Sequence, residues 1–298
     1  MIITNKLGLS ESLVSAVTPD APHNAEGCIS ATTLLRGAKE ILLTQRHWDN
    51  IESDASNRLF AAFGTAVHKV FEDEDDKPGI IKEQQFSKKV GKYTITGKLD
   101  RFDPEEKTIF DYKSTSIYKV KGGNYEEWYT QLMIYAWLLK DAGYEVNKLC
   151  IYALLRDWSR TEAKRDPKYP QTQAVVIPFD IGEDDFKFID KYISDKVAEI
   201  EAAEPLADDD IPACSSKERW EKPAKYAAMV EGGKKALKLF DSEPEAKTYI
   251  QALSADPKNA KKKYSLEFRP GQSVKCMDYC DCCYKCNFYK NNVESLEA

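Results

Sequence analysis

Residues 92–113 read KYTITGKLDRFDPEEKTIFDYK, and the fold turns on them. The β-like segments 92–102 and 107–113 flank Asp103-Pro104-Glu105-Glu106, which predicts two strands joined by a turn. Side chains alternate along a strand, so Asp111 and Lys113 share a face. Folding at the turn returns Asp100 to their side, and the hydrophobic pattern limits the register to a small slip. Two carboxylates and an amine on one face suit a hard divalent cation. Mg²⁺ takes oxygen ligands, keeps several waters and commonly bridges one or two carboxylates to a phosphate. Lys113 would orient or deprotonate a water there, or stabilise charge developing on oxygen. Alone, a D-x-K triplet is also what a surface cross-strand salt bridge looks like.

Outward from this hairpin, residues 30–48 predict a helix with Ser30 or Thr32 as N-cap. A second helix is expected over 56–72, with Leu59, Phe63, Val67, Val70 and Phe71 as its apolar face. The acidic run 72–76 and Pro78-Gly79 end it. A strand is expected at 80–87, a helix at 125–141, strands at 148–156 and 173–179, and an amphipathic helix at 184–203. The order α, α, β-meander, α, β, β, α implies an α/β (α+β mixed) fold, a central mixed sheet flanked by helices. Pro and acidic residues over 204–212 mark a boundary. Two domains follow, 1–205 as the core and 206–298 as a helical and Cys-rich C-terminal region packed on it, with 223–253 expected to be helical.

The chain has 298 residues and a formal net charge of −6 from 43 Lys+Arg and 49 Asp+Glu. No apolar run approaches the ~18 residues of a membrane span. The opening MIITNKLGLSES lacks a basic start followed by an apolar core, so neither a secretory leader nor a membrane setting is expected and a cytoplasmic location is. The acidic total does not exclude a nucleic-acid partner. Residues 82–121 hold ten Lys/Arg against six Asp/Glu, and residues 217–290 hold sixteen against ten, so two regions are locally basic.

Three further features join the hairpin. His68 follows Gly64 by one helical turn, and the missing side chain at Gly64 leaves room for a backbone or ligand to approach. Gln131 and Tyr135 lie at i and i+4 on the helix after Lys113. Glu83, on the strand before the hairpin, is a candidate extra metal ligand.

The ordered set G-x-x-x-H (Gly64–His68), G-x-x-D (Gly97–Asp100), D-x-K (Asp111–Lys113) and Q-x-x-x-Y (Gln131–Tyr135) resembles the PD-(D/E)xK nucleases. It is most similar to their RecB-type branch, which includes CRISPR-associated and phage exonucleases, and the resemblance spans residues 30–200. It implies a restriction-endonuclease-like core in which His68, Asp100 and Asp111 bind Mg²⁺ or Mn²⁺. It makes Lys113 the catalytic lysine, with Gln131 and Tyr135 holding substrate or lysine. Asp111 stands where many relatives have Glu. The expected function is a divalent-metal-dependent DNA nuclease, an exonuclease acting on ends or single strands. Recombination, repair or phage replication would be its setting, in a bacterial or phage-infected cell, with protein partners of those processes. The competing expectation is a non-catalytic nucleic-acid-binding or assembly module on the same scaffold.

Five of the eight cysteines fall between 276 and 286. In the intracellular setting expected for this chain such crowding favours metal over disulfides. Cys276, Cys280 and Cys286 supply three thiolates. A fourth comes from Cys282, Cys283 or a distant residue, and cysteine-only coordination suits Zn²⁺ or an iron–sulfur cluster. The chain resembles RecB-type nucleases in which three C-terminal cysteines join a remote one around a [4Fe–4S] cluster. In those relatives the remote cysteine precedes the core, which points to Cys28; Pro212 and a loop setting favour its rival, Cys214. Cys150, in a strand pattern, reads as a buried small apolar residue. Tyr279, Tyr284, Phe288 and Tyr289, beside Lys275, Lys285 and Lys290, suit either packing around the metal or stacking on single-stranded DNA.

Overall fold

The computed structural model describes residues 1–20, 27–259 and 262–294. They form two compact units, Met1–Pro212 and Ala213–Ala298. No described helix is long and apolar enough to cross a membrane.

The first unit is a mixed α/β fold. Its larger sheet has the strand order Ala174–Asp180, Lys148–Leu155, Thr108–Thr115, Arg101–Asp103, Ile81–Lys82. Thr108–Thr115 and Lys148–Leu155 run parallel, and the other pairs are antiparallel. A parallel pair needs a crossover, here built around the helix Glu126–Asp141. Every residue from Thr130 to Leu139 in that helix is buried, because it has the sheet on one side and the long helix Glu183–Ala203 on the other. The long helix turns Ile189, Ile193, Val197 and Ile200 inward, at the i, i+4, i+8, i+11 spacing of one apolar stripe.

A smaller sheet is made of Cys28–Ser30, Tyr93–Lys98 and Gln85–Val90. The two sheets share one bent hairpin. The expected strands 80–87 and 92–102 are each interrupted, at residues 83–84 and 99–100. Ladder bonds nevertheless run through the bend, Glu83 N–H to Asp100 O at 3.2 Å and Leu99 N–H to Gln84 O at 3.3 Å. Glu83 adopts φ +50° there, a left-handed conformation that costs a non-glycine residue free energy and recurs where backbone is held for a purpose.

The expected helix 30–48 is two pieces. Ser30 caps Ala31–Leu34, its hydroxyl accepting from Thr33 N–H at 3.1 Å, and a second helix, Ala38–His47, starts after Gly37. The helix expected at 56–72 spans Leu59–Asp73. It buries no residue fully, and Phe63 and Val70 of its expected core face are exposed. Residues 204–212 are bound into the first unit: Lys39 Nζ donates to Ile211 O at 2.7 Å, and Arg46 and His47 both hold Asp208.

The second unit corrects the helical expectation for 223–253. Lys225–Val230 and Ala236–Phe240 are antiparallel strands, Tyr264–Arg269 completes a three-stranded sheet, and only Glu243–Ala255 is helical. Ala, Lys and Leu favour a helix as single residues, but Gly232-Gly233 supplies the hairpin turn that overrides them. Gly232 takes φ +76°.

Candidate active site

The site forms where the bent hairpin meets the strand Thr108–Thr115. Asp103 Oδ1 accepts from Glu105 N–H at 3.0 Å and Glu106 N–H at 3.1 Å, an Asx-type turn that sets the hairpin's register. With Arg101 opposite Phe110 and Phe102 opposite Ile109, the next residues outward are Asp100 and Asp111. Past the last ladder pair, the Asp100 carboxylate takes over as acceptor, and Tyr112 N–H donates to its Oδ2 at 2.9 Å. That bond fixes one Asp100 oxygen and leaves the other facing the helix Leu59–Asp73.

His68 on that helix places Nδ1 3.2 Å from Asp100 Oδ1. The bond to Asp100 raises the imidazole pKa, against the opposing effect of its partial burial. The bend brings Glu83 to the same place. Among the described residues, His68, Glu83 and Asp100 each offer a ligand atom within 4.8 Å of the other two. Among the described residues, and apart from the helix's own backbone and the neighbours of Gly64, no atom lies within 4 Å of where a Gly64 side chain would begin.

Asp111 lies deeper and stands outside that trio. It is 2% exposed, and Lys113 Nζ donates to its Oδ1 at 3.0 Å. Lys113 Nζ is also 2.8 Å from Oδ2, so both oxygens of the buried carboxylate lie against the ammonium. Burial pushes the Asp111 carboxyl pKa up, and Lys113 opposes that rise. A buried carboxylate is costly in a folded chain unless an opposite charge faces it, and the Lys113 ammonium supplies that charge to Asp111.

The helix Glu126–Asp141 supplies the opposite wall. Lys113 Nζ donates to Gln131 Oε1 at 3.0 Å, and Gln131 Nε2 donates to Tyr135 Oη at 2.8 Å. Tyr135 is buried, and burial raises its phenol pKa far above the usual value, so it stays a neutral acceptor and donor. The polar chain Asp111–Lys113–Gln131–Tyr135 is thus held between sheet and helix. Gly97 permits that closeness, since a Cβ there would stand 2.7 Å from Leu138 Cδ1 and 2.8 Å from Tyr135 Cδ1.

The residues expected from sequence therefore gather in two linked groups, His68/Glu83/Asp100 and Asp111/Lys113/Gln131/Tyr135, joined where Asp100 holds the backbone of Tyr112. Lys98 was not anticipated. Its Nζ is 2.5 Å from Glu83 Oε2, and the signal for it was its place two residues before Asp100 in Gly97-Lys98-Leu99-Asp100.

The chain matches the model of the PD-(D/E)XK nuclease superfamily over residues 30–287. It belongs to that superfamily. No curated relative matches the nuclease. Among solved structures it is similar to SSO0001, with TM-score 0.43 and 16% identity over 63% of this chain and 84% of that one. It is also similar to a phage-related exonuclease from Haemophilus somnus 129PT, with TM-score 0.28 and 14% identity over 65% and 86%. LHK-Exo in complex with dAMP gives TM-score 0.36 and 13% identity over 62% and 93%.

In the second unit, Cys276 lies on the short helix Val274–Asp278, Cys283 opens the turn Cys283–Lys285, and Cys286 precedes Asn287–Asn292. Cys280 and Cys282 sulfurs are 3.6 Å apart. Burial, with Cys280 and Cys286 nearby, pushes the Cys283 thiol up to about 11. Cys214 belongs to this unit. The segment after it is fastened to the cysteine loop: Glu221 pairs with Ser273, Lys275 N–H donates to Arg219 O at 3.0 Å, and the Arg219 guanidinium lies 4.2 Å over the Phe288 ring. Arg219 also donates to the Cys214 carbonyl. Tyr279 packs on Trp220, with ring centroids 5.1 Å apart. Cys28 lies on a strand of the first unit, opposite Thr94, and Cys150 is buried in Lys148–Leu155.

Proposed function

We propose that this nuclease is a divalent-metal-dependent deoxyribonuclease of the RecB type that hydrolyses phosphodiester bonds at DNA ends or in single strands. Recombination, repair or phage replication in the bacterial cytoplasm is its setting. The observation that carries the reading is the meeting of two things at one bend: a His/Glu/Asp trio of ligand atoms within 4.8 Å, and a lysine held by Asp111 and Gln131.

The donor set fits Mg²⁺ or Mn²⁺, being carboxylate oxygens with one imidazole. His68, Asp100 and Asp111 would hold the ion, with Glu83 beside them. When bound, the cation supplies positive charge against the phosphate and lowers the pKa of the attacking water. Asp100 is kept in place by Tyr112 N–H. Lys113 offers its ammonium to the water or to a phosphate oxygen gaining charge. Tyr135 orients the Gln131 amide so that its oxygen, and not its NH₂, faces Lys113. Preorganised donors of this kind need no reorganisation as charge develops.

Labelled linear and circular DNA incubated with the full chain and Mg²⁺ or Mn²⁺ tests the reading, with EDTA as control. Cation-dependent shortening of linear or single-stranded substrate is the expected result. Binding without product under either ion would replace it with the non-catalytic module.

For the second unit the reading is a [4Fe–4S] cluster on Cys214, Cys276, Cys280 and Cys286, with Zn²⁺ as the competing metal. The fastening of the 214–222 segment to the cysteine loop supports Cys214 over Cys28. Protein purified without oxygen is expected to be brown, with visible absorbance that Cys214→Ser bleaches and Cys28→Ser leaves. Zn²⁺ is d¹⁰ and colourless, so stoichiometric zinc in colourless protein would overturn the cluster.

A further inference from the structure

The helix that carries His68 turns an aromatic face to solvent that the chemistry above does not use. Phe60 is 67% and Phe63 57% exposed, with ring centroids 6.3 Å apart. Exposed large apolar side chains are ordinary when scattered, and it is their adjacency that makes these two rings a contact surface. Two observations say for what. The exposed guanidinium of Arg156 lies 4.3 Å over the Phe60 ring, so the patch has a cation built into it. From Leu59 to Phe71 the helix holds no carboxylate.

The patch is also tied to the site. Arg156 N–H donates to Thr115 O at 2.9 Å, and Thr115 lies two residues beyond Lys113 on the same strand. Aromatic faces with an arginine, next to residues that handle a phosphodiester, match unpaired nucleobases on a charged backbone. An apolar protein partner would leave the guanidinium and its charge without a counterpart.

We infer that Phe60, Phe63 and Arg156 form a stacking platform for unpaired bases next to the phosphate to be cut, which makes single-stranded DNA the bound form at this site. The inference deepens the proposed nuclease function and rests on it for the position of the phosphate. Phe63 offers a ring to one base, and the Arg156 plane over Phe60 offers a second surface and a charge to the phosphate between.

The test uses the full chain with Ca²⁺ in place of Mg²⁺ and a fluorescent oligo-dT strand carrying one 2-aminopurine, its position varied from the end. Stacking quenches 2-aminopurine. Wild type is expected to quench it at one or two positions. Phe60→Ala/Phe63→Ala is expected to lose that quenching and to bind single strands about ten- to hundredfold more weakly. Duplex affinity should stay within about threefold on the same grounds, since paired bases offer no free faces. Phe60→Leu/Phe63→Leu keeps the apolar surface without the rings and should behave like the alanine pair, while Phe60→Trp should retain quenching. Arg156→Gln should weaken single-strand binding and reduce its salt dependence by about one phosphate contact.

Unchanged quenching and affinity in both double variants would overturn the platform. So would a wild-type dimer that the alanine pair turns into monomers with single-strand affinity intact, because the face would then be a protein interface. Failure of the nuclease reading looks different: no cleavage by wild type under Mg²⁺ or Mn²⁺, with Phe-dependent quenching still present.

Discussion

Lys113→Ala is expected to lower Mg²⁺-dependent cleavage of single-stranded DNA by about 10²–10⁴-fold, the range for loss of a positioned proton donor or acceptor. The change removes an ammonium that sits 3.0 Å from both Asp111 Oδ1 and Gln131 Oε1. Gln131 remains tied to Tyr135, so the wall of the site keeps its shape. Removing one member of a buried ion pair usually destabilises strongly. Here the cost is moderated, because the Lys113 side chain is 18% exposed and a cation held as proposed would offset the Asp111 charge. The substituted protein should therefore keep its far-UV circular dichroism and bind single-stranded DNA in Ca²⁺ within about threefold of wild type, since base stacking carries that affinity. Cleavage within tenfold of wild type would remove Lys113 from the chemistry.

Asp111→Asn is the second large effect and needs no cleavage to be seen. The substitution keeps the side chain's size and removes its charge, at a position only 2% exposed. The buried Asp111 carboxylate is sustained chiefly by the charge and hydrogen bond of Lys113, with a smaller contribution from His68. A divalent cation gains most from that carboxylate, as the low local dielectric strengthens the attraction. Mn²⁺ affinity measured by calorimetry should fall at least about tenfold, in line with loss of roughly 1.4 kcal/mol or more of charge interaction. Cleavage should fall with it. Unaltered Mn²⁺ affinity would leave the ion to His68, Glu83 and Asp100 and make Asp111 a partner of Lys113 only.

Much of this site was legible in the chain because it depends on local periodicity. The two-residue repeat of a strand puts Asp111 and Lys113 on one face, and the four-residue spacing of a helix does the same for Gln131 and Tyr135. The Asp103-Pro104 turn then sets Asp100 beside Asp111. The bend was not legible. Nothing in the identity of Glu83 signals a φ of +50°, and without that kink the residue reads as one more strand carboxylate. Gly97 was visible as a glycine, but only the structure shows that Tyr135 and Leu138 press against it.

Two misreadings have physical causes. Over 223–253 the expected helix gives way to a hairpin that Gly232-Gly233 announces. In the helix Leu59–Asp73, periodicity revealed an apolar face without revealing what covers it. A hydrophobic stripe reports that a face avoids water, and the first unit's own core does not extend to Phe60 or Phe63.

The most direct test of the metal site is diffraction from crystals grown with Mn²⁺, recorded for its anomalous signal. A single strong peak within bonding reach of His68, Asp100 and Asp111, absent after Asp111→Asn, is the expected result. A peak bound elsewhere, or none at saturating Mn²⁺ in protein that still cuts DNA, would contradict the assignment of these residues as the catalytic metal ligands.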